Sequence, residues 1–128
     1  LTNWINNPVD QSILAGSGFS SHSLLSLMLK SATYDFGIAN VGEEWFLGRP
    51  DAKNRLKHAC TRLIETIKDC TLPVAVIYGT TETLQNDQRI LLDEMRELLI
   101  NENLAVFPTI ERATSTIGQL LTTSKLSK

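Results

Sequence analysis

Cysteine is scarce in these 128 residues: Cys60 and Cys70 stand ten apart, too few for a disulfide framework and without a Cys-x-x-Cys partner or a histidine at metal-ligand spacing. Excess charge of either sign is also missing. Twelve Lys and Arg against 14 Asp and Glu leave a formal charge of −2, which excludes the clustered basic face expected of a nucleic-acid or anionic-membrane binder. Long apolar runs are missing too. The central run, Leu72 to Tyr78, is far shorter than a bilayer span, and no basic-then-apolar leader stands at the front. No internal repeat or low-complexity tract is present. With 42% hydrophobic and 20% charged residues, the chain is expected to be a single cytoplasmic globular domain with a real core. Starting at Leu1 rather than Met and closing on a polar tail, it is expected to be a piece of something longer.

What is present is an alternation of helix and strand patterns. Ser20 or Ser21 opens a helix reaching to Thr33, with Leu24, Leu25, Leu27 and Met28 on its apolar face. Tyr34 to Val41 reads as a mostly buried strand, weakened at Gly37 and closed by Gly42. Asp51 stands where an N-cap belongs. The longest helix follows it, its stripe formed by Leu56, Ala59, Cys60, Leu63, Ile64 and Ile67, and it ends near Cys70. Leu72 to Tyr78 has the continuous apolar pattern of a central parallel strand covered on both faces, with Pro73 at its first position. Thr83 to Asn101 then places Ile90, Leu91, Met95, Leu98 and Leu99 at helical spacing. Leu104 to Phe107 is a short strand, and Thr109 caps a last helix with Ala113, Ile117, Leu120 and Leu121 facing inward and a frayed tail after Thr122. A further strand at Ile5 to Val9 brings the expected total to four. The pattern specifies α/β: a mainly parallel sheet between helices, joined by right-handed crossovers. Ligands of such sheets sit beyond the carboxyl ends of the strands, which points to the loops Asp10 to Ser20, Gly42 to Pro50, Gly79 to Glu82 and Pro108 to Arg112.

Within those loops each candidate has a bland alternative. Gly16-Ser17-Gly18 before a helix start is either an anion-holding turn or a plain flexible one, and it lacks the full nucleotide-binding fingerprints. His22 is either a general base or phosphate carrier, or a surface histidine; His58 borders the apolar stripe of the longest helix. Glu43 and Glu44 are either paired carboxylates, one with a raised proton affinity, or two solvated acids. Beside them, Trp45 and Phe46 either stack on a ligand or cover an edge or partner surface. A phospho-acceptor receiver domain is disfavoured, because Asp10 is a lone acid and Tyr78-Gly79 ends the central strand.

Asn7-Pro8-Val9-Asp10, the strand Pro73 to Tyr78, and the closing stretch Asp93 to Leu121 with its Val-Phe-Pro-Thr-Ile-Glu-Arg-Ala run agree in order and spacing with a known family. From Asn6 to Leu121 the chain resembles the flavodoxin-like CoA-ligase domain of NDP-forming acyl-CoA synthetases, relatives of succinyl-CoA synthetase. The resemblance implies a three-layer sandwich of about four strands. It also implies membership in an enzyme that interconverts acyl-CoA, ADP and phosphate with a free acid, CoA and ATP through a phosphohistidine on another domain. No catalytic residue and no metal site then falls on this chain. CoA, ADP or ATP, and Mg are implied for the full enzyme, and the partners are its CoA-binding, phosphohistidine and ATP-grasp domains. The family's phosphate-proximal loop maps onto Gly42, Glu43 and Glu44, where two acids and two aromatics replace the usual small residues. Arg49, Arg55 and Arg112 are the possible anion contacts, and the turn at Asn7, Pro8 and Asp10 is expected to be structural. The alternative reading is a non-catalytic flavodoxin-like docking or regulatory module that makes contact through Trp45 and Phe46. A free amino end on the longest helix favours the first; Trp45 and Phe46 sealing it favours the second.

Overall fold

A computed structural model describes residues 20–79 and 83–126. The chain forms α1 (Ser21–Lys30), β1 (Gly37–Asn40), a 3-10 turn (Glu43–Trp45), α2 (Ala52–Lys68), β2 (Val74–Ile77), α3 (Asn86–Asn101), β3 (Ala105–Phe107) and α4 (Ile110–Leu126). The class is α/β, as the alternation of patterns implies. Three strands, rather than four, lie among the described residues; the strand expected at Ile5 to Val9 lies outside them, as do Asn7, Pro8, Asp10 and Gly16-Ser17-Gly18.

The sheet runs in the order β1-β2-β3, all parallel, with Gly37 opposite Val74 and Ala75 opposite Ala105. Every residue of β2 is buried, because a central parallel strand is covered on both faces. Its alternation divides the core in two. Val76 and Tyr78 point to a layer built with Leu56, Cys60, Leu63 and Ile64 of α2 and Leu92, Met95 and Leu99 of α3. Ala75 and Ile77 point the other way, onto Ala113 of α4, with Ile38, Phe107 and Ile117 packed around them. Stepping one way across the sheet with right-handed crossovers puts α2 and α3 on one face, where they touch each other. α1 packs beside α2, and α4 lies over β2 and β3 on the opposite face. Fully burying residues such as Leu56 and Leu99 stabilises the sandwich by roughly 1.5–3 kcal/mol each.

Local chemistry sets the ends. Ser20 accepts from the Ser23 amide at 3.1 Å, and Thr109 Oγ1 accepts from the Arg112 amide at 3.3 Å. The amide of Gln85 donates to the Gln88 side chain, so α3 starts at Asn86 rather than near Thr83. Ala32 in the left-handed region follows α1, and β1 begins only where its pairing with Val74 begins, three residues later than the expected Tyr34.

Helix faces are rotated from the expected ones in three places. Leu27 is exposed, and Leu29 is the buried residue of α1. On α3, Ile90 is exposed and Leu92 buried. On α4, Leu120 and Leu121 are exposed rather than inward, because the short strands end beneath Ala113 and Ile117 and the helix runs on past them to Leu126 instead of fraying after Thr122.

Candidate functional site

The carboxyl edge of the sheet is where β1 and β2 release the loops expected to carry chemistry. Val41 donates to the Ile77 carbonyl at 3.1 Å, extending the β1–β2 ladder by one bond. Asn40 Oδ1 then accepts from the Gly42 amide, and Gly42 turns left-handed (φ 64°), a conformation open to glycine at no steric cost. Trp45 lies back over it: a Cβ at Gly42 would sit 3.0 Å from the indole Cδ1. The Trp45 and Phe46 amides donate to the carbonyls of Gly42 and Glu43, closing the 3-10 turn.

This geometry separates the two adjacent acids. Glu43 is 1% exposed with no hydrogen-bond partner for its Oε1, whereas Glu44 is on the surface. They do not form a working pair, since neighbouring residues on a tight turn diverge. Burial pushes the Glu43 carboxyl above the usual carboxylate range, and the Glu44 charge adds to this; the backbone N–H groups of Glu43 and Gly79 and the Arg96 guanidinium oppose it. Around it stand Cys60 of α2, whose thiol burial pushes up to about 11 with help from Glu43, and Tyr78, whose phenol burial pushes far above its ordinary value. The Tyr78 hydroxyl donates to the Leu92 carbonyl at 2.9 Å. Arg96 of α3 reaches the Tyr78 carbonyl at 3.5 Å, its guanidinium 5.9 Å from the ring centroid. Gly79 is pressed onto β3's exit: an added Cβ would lie 2.9 Å from the Pro108 carbonyl oxygen. Four segments thus converge on buried Glu43, Cys60 and Tyr78, with the exposed Arg96 at their rim. Cys60, Tyr78 and Arg96 carry no motif that sequence reading could group, because only the sheet register brings them together.

Past the turn, Phe46 and Leu47 pack against the main core, while Trp45 stays 68% exposed. Asp51 occupies the N-cap position of α2 but sits in the left-handed region and makes no capping bond; its Oδ1 accepts from the Asn54 side chain at 2.6 Å. Among the described residues no side chain caps the first-turn amides of α2, and Trp45 stands out in solvent. The first backbone bond runs from Arg55 to the Asp51 carbonyl. Arg49 and Arg55 flank this helix start, both exposed, whereas Arg112 belongs to α4 on the opposite face of the sheet. Lys53 is engaged by Glu94 at 3.0 Å.

Shallow open hollows lie along α4, lined by Ser115, Gly118 and Thr122. Among the described residues no group of three His, Cys, Asp or Glu side chains is placed to hold a metal ion, and no helix is long and apolar enough to cross a membrane. Compared with known families, curated proteins and solved structures, the chain matches no family model, no curated protein and no solved structure.

Proposed function

We propose that this chain is a flavodoxin-like CoA-ligase-type domain of an NDP-forming acyl-CoA synthetase-like protein, and that it turns nothing over alone. In a flavodoxin-like sheet of order 2-1-3-4-5 the last three strands are sequential neighbours, the helices between them share one face, and the final helix crosses to the other. The order β1-β2-β3, with α1, α2 and α3 on one face and α4 on the other, has that pattern. The switch point of such a sheet lies beside β1, at the Gly42 to Pro50 loop.

The observation that carries the reading is the uncapped amino end of α2 directly after this loop. Free first-turn amides and the helix dipole hold a phosphoryl group without a catalytic side chain, here with Arg49 and Arg55 flanking. CoA, ADP or ATP, and Mg belong in this reading to the CoA-binding, phosphohistidine and ATP-grasp partners, in the cytoplasm. Glu43, sealed in the core, has no part in it, which leaves Glu44 as the acid that weakens anion approach.

Phosphate titrated into the labelled chain is expected to move the amides of Ala52, Lys53 and Asn54 in the millimolar range, more tightly in Glu44→Gln, with no ADP-dependent turnover. Stationary amides, or robust turnover by the chain alone, overturn the proposal. The second reading, a docking module, is favoured by one observation: Trp45 is presented outward on a turn anchored by a buried glutamate. Stationary amides would leave that reading standing.

A further inference from the structure

The two histidines stand on the two helices of one interface, His22 on α1 and His58 on α2. α1 packs along α2, with Leu25 joining the main core and Leu29 buried so close to β1 that a Cβ on Gly37 would lie 2.8 Å from its Cδ2. At the carboxyl end of α1, Lys30 Nζ bonds Asp69 Oδ2 at 2.5 Å. Both helices run antiparallel to the strands they lead into, and so parallel to each other. From Lys30 back to His22 is eight residues, about 12 Å of helix; the same step along α2 from Asp69 ends at Thr61. His58, Arg62 and Glu65 bracket that level, and their spacings of four and three put them on one stripe. His22 is half-buried there and feels the charges of all three. Among the described residues the other sides supply no compensation. The first turn of α1 has no acid, β1 has no charged residue, and Glu65 is already engaged by Arg62 at 3.1 Å.

We infer that the α1–α2 interface is an acid-sensitive latch: a proton on His22, placed beside His58 and Arg62, loosens the amino half of α1 from α2 and bares Leu25. Burial, then Arg62 and His58, hold His22 below its ordinary 6.5, against the smaller pull of Glu65. The docked form therefore binds fewer protons than the released one. Docking is at full strength above pH 6.5 and weakens as the pH falls below it. The Lys30–Asp69 pair stays ionised across this range, since each partner favours the other's charged form, so the carboxyl end remains tied while the amino end opens. The latch is independent of the phosphate-holding role proposed for α2.

Hydrogen exchange of the whole chain at pH 7.5 and 5.5, corrected for intrinsic rate, tests it. The amides Leu24 to Leu29 are expected to lose about two- to fivefold protection at the lower pH, the scale of exposed charge interactions, while Leu92 to Leu99 of α3 hold theirs. His22→Gln should flatten the loss, Arg62→Gln should shrink it, and Glu65→Gln should deepen it. Equal loss in His22→Gln, no loss in the wild type, or a loss shared by α3 overturns the inference. Should His22→Gln fail to fold, an Arg62→Gln protein that loses protection as steeply as the wild type does the same.

Discussion

Replacing Glu43 with glutamine keeps the side-chain volume and removes the possibility of ionising. In the folded chain the carboxyl is 1% exposed with Oε1 unpartnered, and burial raises its proton affinity above the ordinary value of 4.5. A group whose folded pKa is raised holds more protons folded than unfolded. Its contribution is therefore complete below pH 4.5 and is lost as the pH rises through the folded value. An ionised acceptor left unsatisfied in the core costs about 1–3 kcal/mol, partly relieved here by the Gly79 amide and Arg96, so a net 1–2 kcal/mol is a reasonable order. For a domain of this length that is about 3–8 °C in Tm. His22 acts in the opposite sense, its stabilisation growing as the pH rises towards 6.5, so the pair is best compared in a His22→Gln background. There, urea or thermal unfolding between pH 4.5 and 8 should show stability falling with pH when Glu43 is present and a flatter profile in Glu43→Gln. Parallel profiles for the two proteins would refute the account of a buried Glu43 whose proton affinity is raised.

Three further outcomes follow from the same edge of the sheet. Gly79→Ala forces a Cβ to within 2.9 Å of the Pro108 carbonyl oxygen and 3.0 Å of its Cα, backbone that cannot swing aside, and should cost about 1–3 kcal/mol in urea unfolding; a neutral effect would mean that β2 and β3 are not held so close. Tyr78→Phe removes the hydrogen bond that the phenol donates to the Leu92 carbonyl at 2.9 Å, a loss of about 0.5–1.5 kcal/mol measured by chemical denaturation, with no pH dependence of its own between 5 and 8. A thiol reagent on the native chain at pH 8 should label half-buried Cys70 first and leave Cys60 protected until unfolding, because Cys60 is buried and its thiol is pushed to about 11; equal rates would contradict its place in the core.

Much of the architecture is legible residue by residue. The unbroken run Leu72 to Tyr78 specifies a strand covered on both faces, and β2 is buried throughout; Leu56, Cys60, Leu63 and Ile64 recur with helical period and are the buried residues of α2. Thr109 acts as a cap because its hydroxyl has an orphan amide within reach. These features are local: each depends on spacing or on a hydroxyl a few residues away. Which apolar side of a helix is buried is not local when apolar residues surround it. On α3 the choice of Leu92 over Ile90 depends on where α2 and β2 lie, and on α4 the exposure of Leu120 and Leu121 depends on how soon the three strands end beneath them.

The site follows the same division. Sequence alone determined that a Gly-Glu-Glu turn leaves the first described strand and that a long amphipathic helix comes after it. It also determined that the chain lacks the cysteine, metal-ligand and nucleotide-loop patterns of several common chemistries. Only the tertiary structure decided that Glu43 turns into the core while Glu44 turns out, that Asp51 forgoes its cap for Asn54, and that α1, which carries His22, packs along α2, which carries His58. The physical reason is one of range. Propensity and periodicity act over a few residues, whereas burial and charge are set by whatever the sheet register brings alongside, and for Glu43 that is Tyr78, Cys60 and Arg96, 17 to 53 positions further along the chain.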